Sequence, residues 1–567
     1  MSDGYKVIVL GLDGATFDLM LPWMEEGHLP AIAELVETGA RSPLESTIPP
    51  HTPCAWSSFI TGKNPGKHGL LDFVEPVPGS HDFRFTNASS RAGSSLWSLI
   101  NRHGLKTGVV NVPMTFPPEK VDGYLVSGLD APHEQSEFTY PATIRDEIAA
   151  RSIDYRIDLQ HMGDMGTYAK CRSRLAEICE IETARTEAFE YLRRQYPSEF
   201  QMLVYTATDR VQHHFWHYMD PSHDKYDSEG AELFRNAIRD VYVHVDHLIA
   251  RVLDGKDRDT IVMTMSDHGF GPTSSLRLRL NQSLAHREHL RFQREGGASR
   301  VKRMLAGAVD RLLRSTLSCD FKRKLAARFP RLRVWFENLD EARLEWSETI
   351  AFASEFYRAS PAIWINRSGR FPDGTVGDGA EYEAALETTA AALLSITDSS
   401  TGERAINKVY RTRDIYEGPF VDRAPDLIPS WWDDGFLIEQ SDPHGGPQGD
   451  AFRAEGDLWR GVEFTGSHRL DGIFTMTGGP VKPGYVFEGA KITDVAPTVL
   501  YMMGLPIPAD MDGSPLLQAI DPLWVDENPP LMTGDASDES APSDAYQDFS
   551  SDEAEAVAQR LKALGYI

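Results

Sequence analysis

The sequence predicts an α/β protein built on a mostly parallel central sheet, and two observations carry this prediction. The first is a set of short apolar, β-branched runs bounded by loop-forming residues, at 6–12, 108–112, 201–206 and 260–265. The second is the helical periodicity of longer segments between these runs, for example 174–194 and 229–253. Strands that alternate with helices form parallel sheets that carry helices on both faces.

The first strand shows how each element is identified. Residues 6–12 (KVIVLGL) form an unbroken apolar run that ends at Asp13-Gly14, a pattern typical of a buried strand followed by a loop. Strand-like sequence resumes late in the chain near Thr349 (TIAFAS) and again at 361–366 (PAIWIN). Because ligands of parallel sheets bind beyond the carboxyl ends of the strands, the residues that follow each strand are the candidates for function.

The composition narrows the class of protein. Of the 567 residues, 41% are hydrophobic, 25% charged and 10% aromatic. These values are typical of a soluble globular protein and exclude a disordered, collagen-like or coiled-coil chain. The formal net charge of −27 argues against a general nucleic-acid binder, so no specific nucleic-acid partner is expected.

The compartment is predicted from what the sequence does not contain. No apolar run reaches the roughly 18 residues of a membrane span, so no transmembrane segment is expected. The N-terminus (MSDGYKVIVLGLDG) leads directly into a strand, without the basic and apolar regions of a secretion signal. Cysteines are too few and scattered for a disulfide scaffold or a metal site. They are Cys54, Cys171, Cys179 and Cys319. A cytoplasmic location is therefore predicted.

One segment, 286–345, differs in charge from the rest of the chain. It holds 15 Arg or Lys residues against 8 Asp or Glu residues, with apolar residues at helical spacing. We interpret it as a basic helical insertion that caps a catalytic domain formed by residues 1–285 and 346–525. The alternative is a basic amphipathic surface that makes peripheral contact with anionic lipid or binds a polyanionic substrate.

The C-terminal segment, 526–567, is predicted to be an acidic linker followed by a short helix. Residues 526–555 contain ten acidic and no basic residues, together with Pro, Ser and Gly, which is a flexible-linker composition. Ser550 and Glu553 have the spacing of a capping box, and Val557, Leu561 and Leu564 share one helical face.

Aspartate and histidine recur near the ends of the predicted strands. Asp13 ends the first strand, and Asp209 follows the 201–206 strand with His213 four residues later. The pair Asp267-His268 closes the 260–265 strand, and His468 lies in a Gly-flanked loop. Imidazole and carboxylate together suit Zn²⁺, while carboxylate-rich sites also accept Mn²⁺. The set is therefore a candidate site for one or two divalent cations.

Thr52 has two interpretations. It begins a helix-like run in STIPPHTPCAWSSFITGKNPGKHGL (46–70), where a hydroxyl can act as an N-cap alone. The same position also suits a nucleophile, because a bound metal lowers the pKa of the hydroxyl and a helix N-terminus favours an anion.

The order of these motifs resembles a known family. The chain has strand-DG, then Thr-Pro-x7-Thr-Gly-x-x-Pro-x-x-His-Gly starting at Thr52, then DxxxH at Asp209, then DHG at Asp267, then a late GxH at His468. This order is similar to that of the alkaline phosphatase superfamily, most closely its type I phosphodiesterase/nucleotide pyrophosphatase branch. The resemblance runs from about residue 5 to 517, outside the basic insertion. It implies an alkaline-phosphatase-like three-layer sandwich.

The resemblance also implies roles for individual residues. Thr52 matches the nucleophile, and the remaining positions match the ligands of two divalent metal ions, expected to be Zn²⁺ with Mn²⁺ as the alternative. Those ligands would be Asp13, Asp267 and His268 for the metal that activates Thr52, and Asp209, His213 and His468 for the second metal. The implied reaction is in-line attack of Thr52 on phosphorus, followed by hydrolysis of a phosphothreonine intermediate.

The chain departs from the family pattern at one position. Nucleotide pyrophosphatases have an asparagine three residues after the threonine, where it binds a phosphoryl oxygen, but this chain has Ala55. A backbone N–H or Lys63 would have to replace it, and a nucleotide substrate is less strongly indicated. The sulfatase signature is absent because no arginine follows Thr52-Pro53 at the required place.

Three functions remain open at this stage. The first is a metal-dependent phosphodiesterase acting on a phosphate-ester small molecule or a lipid headgroup. The second is a phosphomonoesterase or phosphomutase of the same superfamily, which would need basic groups such as Lys63, Arg277 and Arg279 to hold a second anion. The third is a non-enzymatic protein that docks through the basic insertion, against which the intact set of seven positions argues. His51 and His68 bracket the Thr52 segment, and His217 repeats on the helical face of His213, so these three are the main decoys.

Overall fold

The fold was analysed in a computed structural model of the full chain. The structure describes residues 4–159, 165, 167–257, 259–273, 277–293, 344–353, 362–397, 402, 404–433, 437–438, 452–453, 464–534 and 547–564. Most of the predicted basic insertion, 294–343, lies outside the described residues.

The described residues form strands, α-helices and four short 3₁₀ helices. The strands are β1 (Lys6–Leu12), β2 (Gly39–Glu45), β3 (Val74–Pro76), β4 (Phe83–Phe85), β5 (Thr107–Val112), β6 (Gly123–Ser127), β7 (Thr139–Tyr140), β8 (Phe200–Tyr205), β9 (Thr260–Met265), β10 (Gly269–Pro272), β11 (Arg277–Leu278), β12 (Ala351–Ala353), β13 (Ile363–Ile365), β14 (Val409–Arg411), β15 (Leu427–Pro429), β16 (Leu437–Ile438), β17 (Phe452–Arg453), β18 (Gly466–Arg469), β19 (Asp471–Thr477), β20 (Tyr485–Val486), β21 (Ala490–Lys491), β22 (Ile507–Pro508) and β23 (Met532–Thr533). The helices are α1 (Phe17–Glu25), α2 (Pro30–Thr38), α3 (Thr52–Thr61), α4 (Pro65–His68), α5 (Leu96–Arg102), α6 (Thr143–Ala150), α7 (Tyr168–Gln195), α8 (Ala207–Met219), α9 (Ser228–Phe234), α10 (Ala237–Leu253), α11 (Leu280–His286), α12 (Ala380–Leu394), α13 (Thr412–Ile415), α14 (Ile492–Met502), α15 (Pro522–Glu527) and α16 (Ser551–Ala563).

The central sheet has ten strands, in the order β20-β2-β19-β9-β1-β8-β5-β6-β7, with β21 also paired to β2. Its middle strands are parallel, because β1 pairs with β8 and β9, and β5 pairs with β8 and β6, all in parallel register. Antiparallel pairing occurs where β19 joins β9 and β2, and where β6 joins β7. The four strands predicted in the first half of the chain are confirmed.

Both faces of this sheet are covered by helices, as the unbroken apolar run of β1 requires. Alternate side chains of β1 enter two separate hydrophobic cores: Ile8 and Leu10 pack with residues of α7, α8 and α10. Val7 and Val9 pack on the opposite face with residues of α3, α5 and α14. The predicted α/β class with a mostly parallel central sheet between two helical layers is therefore confirmed.

A second, smaller lobe was not separated by the sequence analysis, which assigned 346–525 to one catalytic domain. Strands β12, β13, β15 and β14 form their own four-stranded sheet. Residues of this sheet and of α11 and α12 share a separate hydrophobic core that includes Trp364, Phe371 and Leu386. The strands are three residues long, too short for their periodicity to distinguish a second sheet from an extension of the first.

The C-terminal segment differs in part from the prediction. Residues 526–534 are ordered rather than linker: α15 ends at Glu527, and β23 pairs in parallel with β22. Acidic composition alone could not show this pairing, which is made by backbone groups. The terminal helix α16 is present with its capping box, since Ser550 and Glu553 bond to each other's backbone N–H. Its apolar face is buried in the core that contains α7, α8 and α10.

Two further features concern the helices. The predicted helix at 229–253 is broken into α9 and α10, which are separated at Arg235-Asn236. Among the helices in the described part of the chain, none combines the length and the apolar character needed to cross a membrane.

Candidate active site

The site forms at the carboxyl ends of the three central parallel strands. Asp13 follows β1 directly, and Asp267 and His268 follow β9 after one residue. Asp209 lies further from its strand than the sequence suggested: β8 ends at Tyr205, and Asp209 occupies the first turn of α8. A carboxylate is favourable there because the N-terminus of a helix carries partial positive charge. Since β1 lies between β8 and β9, the three aspartates meet at one edge of the sheet.

Hydrogen bonds from α8 hold the loop that carries Asp13. Thr208 Oγ1 donates to the carbonyl oxygen of Asp13 at 2.5 Å. One turn later, Gln212 Nε2 donates to the carbonyl oxygen of Gly14 at 2.9 Å. The sequence analysis missed both residues. Their i, i+4 spacing places them on one face of the helix that carries Asp209, which could have indicated that they act together.

The loop that carries Asp267 is held in a similar way. Ser46 Oγ donates to the carbonyl oxygen of Asp267 at 2.5 Å, and the N–H of Gly14 donates to Asp267 Oδ1 at 3.2 Å. The second bond connects the loops after β1 and β9. It leaves Asp267 Oδ2 directed to the histidine ring described next.

The first group of candidate ligands comprises Asp13, Asp267 and His268. Their ligand atoms all lie within 4.8 Å of one another. His268 Nε2 is 3.3 Å from Asp267 Oδ2 and 3.7 Å from Asp13 Oδ1. In the described part of the chain these two carboxylate oxygens are buried and make no hydrogen bond. Buried polar atoms without partners are rare, so this group is suited to a cation.

The second group comprises Asp209, His213 and His468. Asp209 Oδ1 lies 3.2 Å from His213 Nε2 and 3.5 Å from His468 Nε2. The two imidazole nitrogens are themselves 3.2 Å apart. The ligand atoms of Asp209, His268 and His468 also fall within 4.8 Å of one another, so His268 lies between the two groups. The structure thus places the six residues predicted as metal ligands close together. The cluster around Asp209 and His468 includes His268 as well as the neighbouring His213, so the division into two sets of three ligands stays a prediction.

All three histidines are oriented by backbone carbonyl groups. The Nδ1 of His213, His268 and His468 donates to the carbonyl oxygens of Gly466, Gly269 and Pro50, at 2.9, 3.0 and 3.0 Å. A proton on Nδ1 leaves the Nε2 lone pair of a neutral ring directed into the site. This arrangement is the one that metal-ligating histidines commonly use.

Burial and mutual repulsion set the charge of the site. Burial and the neighbouring Asp267 raise the pKa of Asp13 well above its usual value, and burial raises the pKa of Asp267 to about 8. Burial lowers the pKa of His268 and of His468, so both rings are neutral at neutral pH. Although burial opposes it, contact with His213 keeps the pKa of Asp209 well below the usual range. Neutral imidazoles among crowded buried carboxylates are a donor set that a divalent cation stabilises.

Arg210 is a site residue that the sequence analysis missed. Its Nη1 donates to Asp209 Oδ2 at 2.6 Å, and its Nη2 donates to Asp158 Oδ2 at 2.8 Å. All three side chains are buried. Arg210 therefore engages one oxygen of Asp209 while the other faces His213 and His468. Its position next to Asp209 in DRVQH was a signal for this contact, whereas nothing in the sequence marked Asp158.

Thr52 lies at the edge of the first group. It is the first residue of α3, fully buried, and its Oγ1 is 3.4 Å from His268 Nε2. His51 is the N-cap residue and makes no side-chain capping bond. The alternative in which Thr52 acts as the helix cap is therefore not supported, because its hydroxyl faces the ligand group.

Lys63 does not lie at the site, which corrects one expectation. It follows the C-terminal end of α3, about 15 Å along the helix from Thr52, and its Nζ pairs with Asp510. It cannot replace the missing asparagine at Ala55, whose own N–H donates to the carbonyl oxygen of His51. A spacing pattern gives no information about which end of a helix faces a site.

The decoy histidines have other contacts. His68 Nε2 is 3.0 Å from Ser58 Oγ, and His217 Nδ1 is 3.2 Å from Thr465 Oγ1. His51 lies closer, with its ring 6.5 Å from that of His468 and its Nδ1 3.7 Å from Asp72 Oδ1. Cys54 is buried, and burial raises the pKa of its thiol to about 12, which excludes it as a thiolate nucleophile at neutral pH.

Comparison with known proteins gives the family. The sequence model of the type I phosphodiesterase / nucleotide pyrophosphatase family matches residues 7–468. No curated protein matches the chain. Among solved structures, human ectonucleotide pyrophosphatase/phosphodiesterase 5 is similar at 14% identity, over 92% of this chain and 99% of that one, with a TM-score of 0.48. The murine protein is similar at 13% identity, over 91% and 100% of the two chains, with a TM-score of 0.46. An inactive form of the murine protein in complex with AMP is 13% identical, over 91% and 98%, with a TM-score of 0.47. Because the family model spans most of its length, the chain belongs to the type I phosphodiesterase/nucleotide pyrophosphatase family, whose members are hydrolases of phosphoric ester bonds.

Proposed function

We propose that the protein is a phosphodiesterase that uses Thr52 as its nucleophile and two divalent metal ions as cofactors. Zn²⁺ is the metal we expect, since three imidazole nitrogens and three carboxylates form the donor set, and Mn²⁺ is the alternative. Asp13, Asp267 and His268 would hold one ion. The other would be held by Asp209, His213 and His468.

The metal ions and Thr52 have separate roles in the proposed reaction. Bound metal ions would polarise the phosphoryl oxygens and lower the pKa of the threonine hydroxyl. Thr52 Oγ1 attacks phosphorus in line with the departing alcohol, which gives a phosphothreonine that water then hydrolyses. The buried position of Thr52 at the start of α3 excludes bulk water from the first step.

The N-terminus of α3 provides donors where the family asparagine is missing. The first N–H groups of a helix have no partner within it, and Pro53 has no N–H at all. The N–H groups of Thr52 and Cys54 therefore remain to bind a phosphoryl oxygen, assisted by the partial positive charge of the helix end.

The observation that carries the proposal is the 3.4 Å approach of Thr52 Oγ1 to His268 Nε2, beside two buried carboxylate oxygens without hydrogen bonds. The test compares hydrolysis of p-nitrophenyl phosphate and bis-p-nitrophenyl phosphate by metal-defined protein. We expect a preference for the diester, and loss of turnover in Thr52→Ala with metal content near wild type.

Thr61→Ala is the matched control. Thr61 is buried at the other end of α3, where its hydroxyl donates to the carbonyl oxygen of Ser57 at 2.8 Å. This variant should keep activity. If Thr52→Ala were as active as Thr61→Ala, the nucleophile assignment would be wrong.

The ligand groups are tested by metal stoichiometry. Asp209→Ala and His468→Ala should each lose one metal equivalent, because each removes one of three ligands from the second group. His217→Ala, on the same helix as His213 but bonded to Thr465, should retain both. Unchanged stoichiometry in both ligand variants would refute the grouping.

The alternative of a phosphomutase finds little support in the described residues. Lys63 is paired with Asp510 far from Thr52, and Arg279 lies at the start of α11. A preference for the monoester substrate would instead support the monoesterase alternative.

Peripheral membrane contact through the basic insertion remains a prediction, which vesicle sedimentation would test. A cytoplasmic location is also a prediction, and cell fractionation would test it.

A further inference from the structure

Helix α8 carries four residues that form or hold the candidate site. Asp209 and His213 are proposed metal ligands, and both are buried. Thr208 and Gln212 donate to the backbone of the loop that carries Asp13. The position of α8 therefore places two ligands directly and a third through this loop, so a group that fixes the start of the helix also fixes the site.

The start of α8 is not capped in the usual way. Thr206 is the N-cap residue, but its side chain makes no capping hydrogen bond to the described backbone of the helix. The first N–H groups of a helix have no acceptor within it, and leaving them unpaired in the interior costs free energy. Thr206 and Ala207 are both buried, so their N–H groups need an acceptor from elsewhere in the fold.

Glu182 of α7 supplies that acceptor. It lies 24 residues before Thr206 in the chain and is 1% exposed. Its Oε1 accepts from the N–H groups of Thr206 and Ala207, each at 2.8 Å. Thr206 Oγ1 donates to the same oxygen at 3.3 Å. A carboxylate is well suited to this place, because an ionised acceptor forms stronger hydrogen bonds and the N-terminus of a helix carries partial positive charge.

The second oxygen of Glu182 has a different partner. Arg185, three residues along α7 and fully buried, donates from Nη1 to Glu182 Oε2. Its Nη2 donates to the carbonyl oxygen of Ile157 at 2.9 Å. Arg185 therefore neutralises Glu182, whose charge is not added to the crowded carboxylates of the site. Because Oε1 holds α8 and Oε2 binds Arg185, the two contacts can be separated by substitution.

We propose that Glu182 is a positioning residue for the metal site, which caps α8 and so holds Asp209 and His213 where they bind metal. The inference rests on the proposed function and deepens it by naming a residue outside the ligand set on which metal affinity depends. The effect of Glu182 passes through the backbone of α8, where its two hydrogen bonds of 2.8 Å are made.

The test compares two double variants that differ only in the acceptor. The uncapped variant, Glu182→Met with Arg185→Met, removes the cap and its counter-charge together, and apolar replacement of a whole buried ion pair is often neutral for stability. The amide variant, Glu182→Gln with Arg185→Met, is equally uncharged but keeps an oxygen that accepts from both N–H groups. Leu192→Ala, at a buried position of the same helix, is the control for general loss of stability.

Metal affinity is measured by chelator competition with Zn²⁺, and the relevant metal equivalent is the one that Asp209→Ala loses. We expect the uncapped variant to bind this equivalent about tenfold more weakly than wild type, the lower end of the loss when a group that supports a ligand is removed. The amide variant should recover most of this affinity, and Leu192→Ala should bind as wild type does. The equivalent that Asp209→Ala retains should change less, because Asp13 is also held by β1.

A second measurement needs no metal. Amide hydrogen exchange reports local opening of a structure, so the capped start of α8 should be protected in metal-free wild-type protein. We expect exchange in the segment 206–213 to be about tenfold faster in the uncapped variant, as the loss of one buried hydrogen bond predicts. The amide variant should exchange at close to the wild-type rate.

The outcomes separate this inference from the proposed function. If the uncapped and amide variants bind metal equally well, or if Leu192→Ala loses as much affinity as the uncapped variant, Glu182 has no positioning role and the phosphodiesterase stands. If the uncapped variant does not fold, Thr206→Pro replaces it, because it removes one capping N–H and leaves Glu182 in place; wild-type affinity in Thr206→Pro would overturn the inference.

Failure of the proposed function has a different signature. It fails if wild-type protein binds no metal, or if Thr52→Ala hydrolyses diesters as fast as wild type. The exchange rates of metal-free protein decide, independently of either result, whether Glu182 holds the start of α8.

Discussion

Replacing Asp158 by Asn tests whether the buried ion pairs of Arg210 stabilise the fold. The substitution keeps the shape of the side chain and removes one of the two carboxylates that neutralise buried Arg210, which donates to Asp158 at 2.8 Å and to Asp209 at 2.6 Å. Breaking a buried ion pair costs about 3–5 kcal/mol, since it leaves a charge without its partner. Because Arg210 keeps its bond to Asp209, we expect the lower end, about 3 kcal/mol.

The assay is urea-induced unfolding, followed by tryptophan fluorescence, with the free energy of unfolding extrapolated to water. Asp154→Asn is the matched control, because Asp154 pairs with Arg156 at 3.3 Å but its side chain is 83% exposed. An exposed pair contributes less than about 1 kcal/mol. Equal losses in the two variants would show that the network around Arg210 does not stabilise the fold, and would refute the reasoning.

Three further predictions follow from separate contacts. Arg210→Met should weaken metal binding by about 10–100-fold in chelator competition, because the residue that orients Asp209 is lost. Arg210→Lys should recover part of this affinity. Unchanged metal affinity in both variants would contradict the orienting role of Arg210. Asp72→Asn should flatten the pH dependence of stability. Burial raises the pKa of Asp72 in the folded state from 3.8 to about 8, so the folded state holds one more proton than the unfolded state between these pH values. The free energy of unfolding of the wild type therefore falls with rising pH, by up to about 1.4 kcal/mol per pH unit. Parallel stability curves for wild type and Asp72→Asn would count against a protonated Asp72. Leu561→Ala should destabilise the docked helix α16 by about 2–5 kcal/mol, seen as faster proteolysis of the C-terminus, whereas Gln559→Ala on its exposed face should not.

The sequence predicted the four central strands β1, β5, β8 and β9 because these strands are mainly apolar. β1 is buried on both faces, so its pattern could be identified without knowledge of its neighbours. The second lobe was not separated, since strands of three residues carry too little periodicity. The ordered strand β23 was missed because backbone pairing with β22, rather than side-chain composition, holds it in place.

The candidate site was predicted unevenly for similar reasons. Asp13 and Asp267 lie within two residues of the ends of strands β1 and β9, so chain order was enough to place them at the same edge of the sheet. His468 lies about 200 residues from His268 and could be assigned only through the family resemblance. In the structure it reaches the site because β18 pairs with β10, which sets Phe270 opposite His468. Long-range pairing of this kind leaves no local signal in a sequence.

The way in which the site residues are held bears on how their variants should be interpreted. His213, His268 and His468 are each fixed by a carbonyl group of the backbone, and the loops of Asp13 and Asp267 are fixed by hydroxyl donors outside the ligand set. The geometry is therefore preorganised by contacts that survive when a single ligand is replaced. Removing a carboxylate ligand also relieves repulsion, because Asp267 and Asp209 both raise the pKa of Asp13, and Asp209 raises the pKa of Asp267. We therefore expect ligand variants to lose metal while remaining folded, so that loss of activity in them reports the chemistry of the site rather than the stability of the fold.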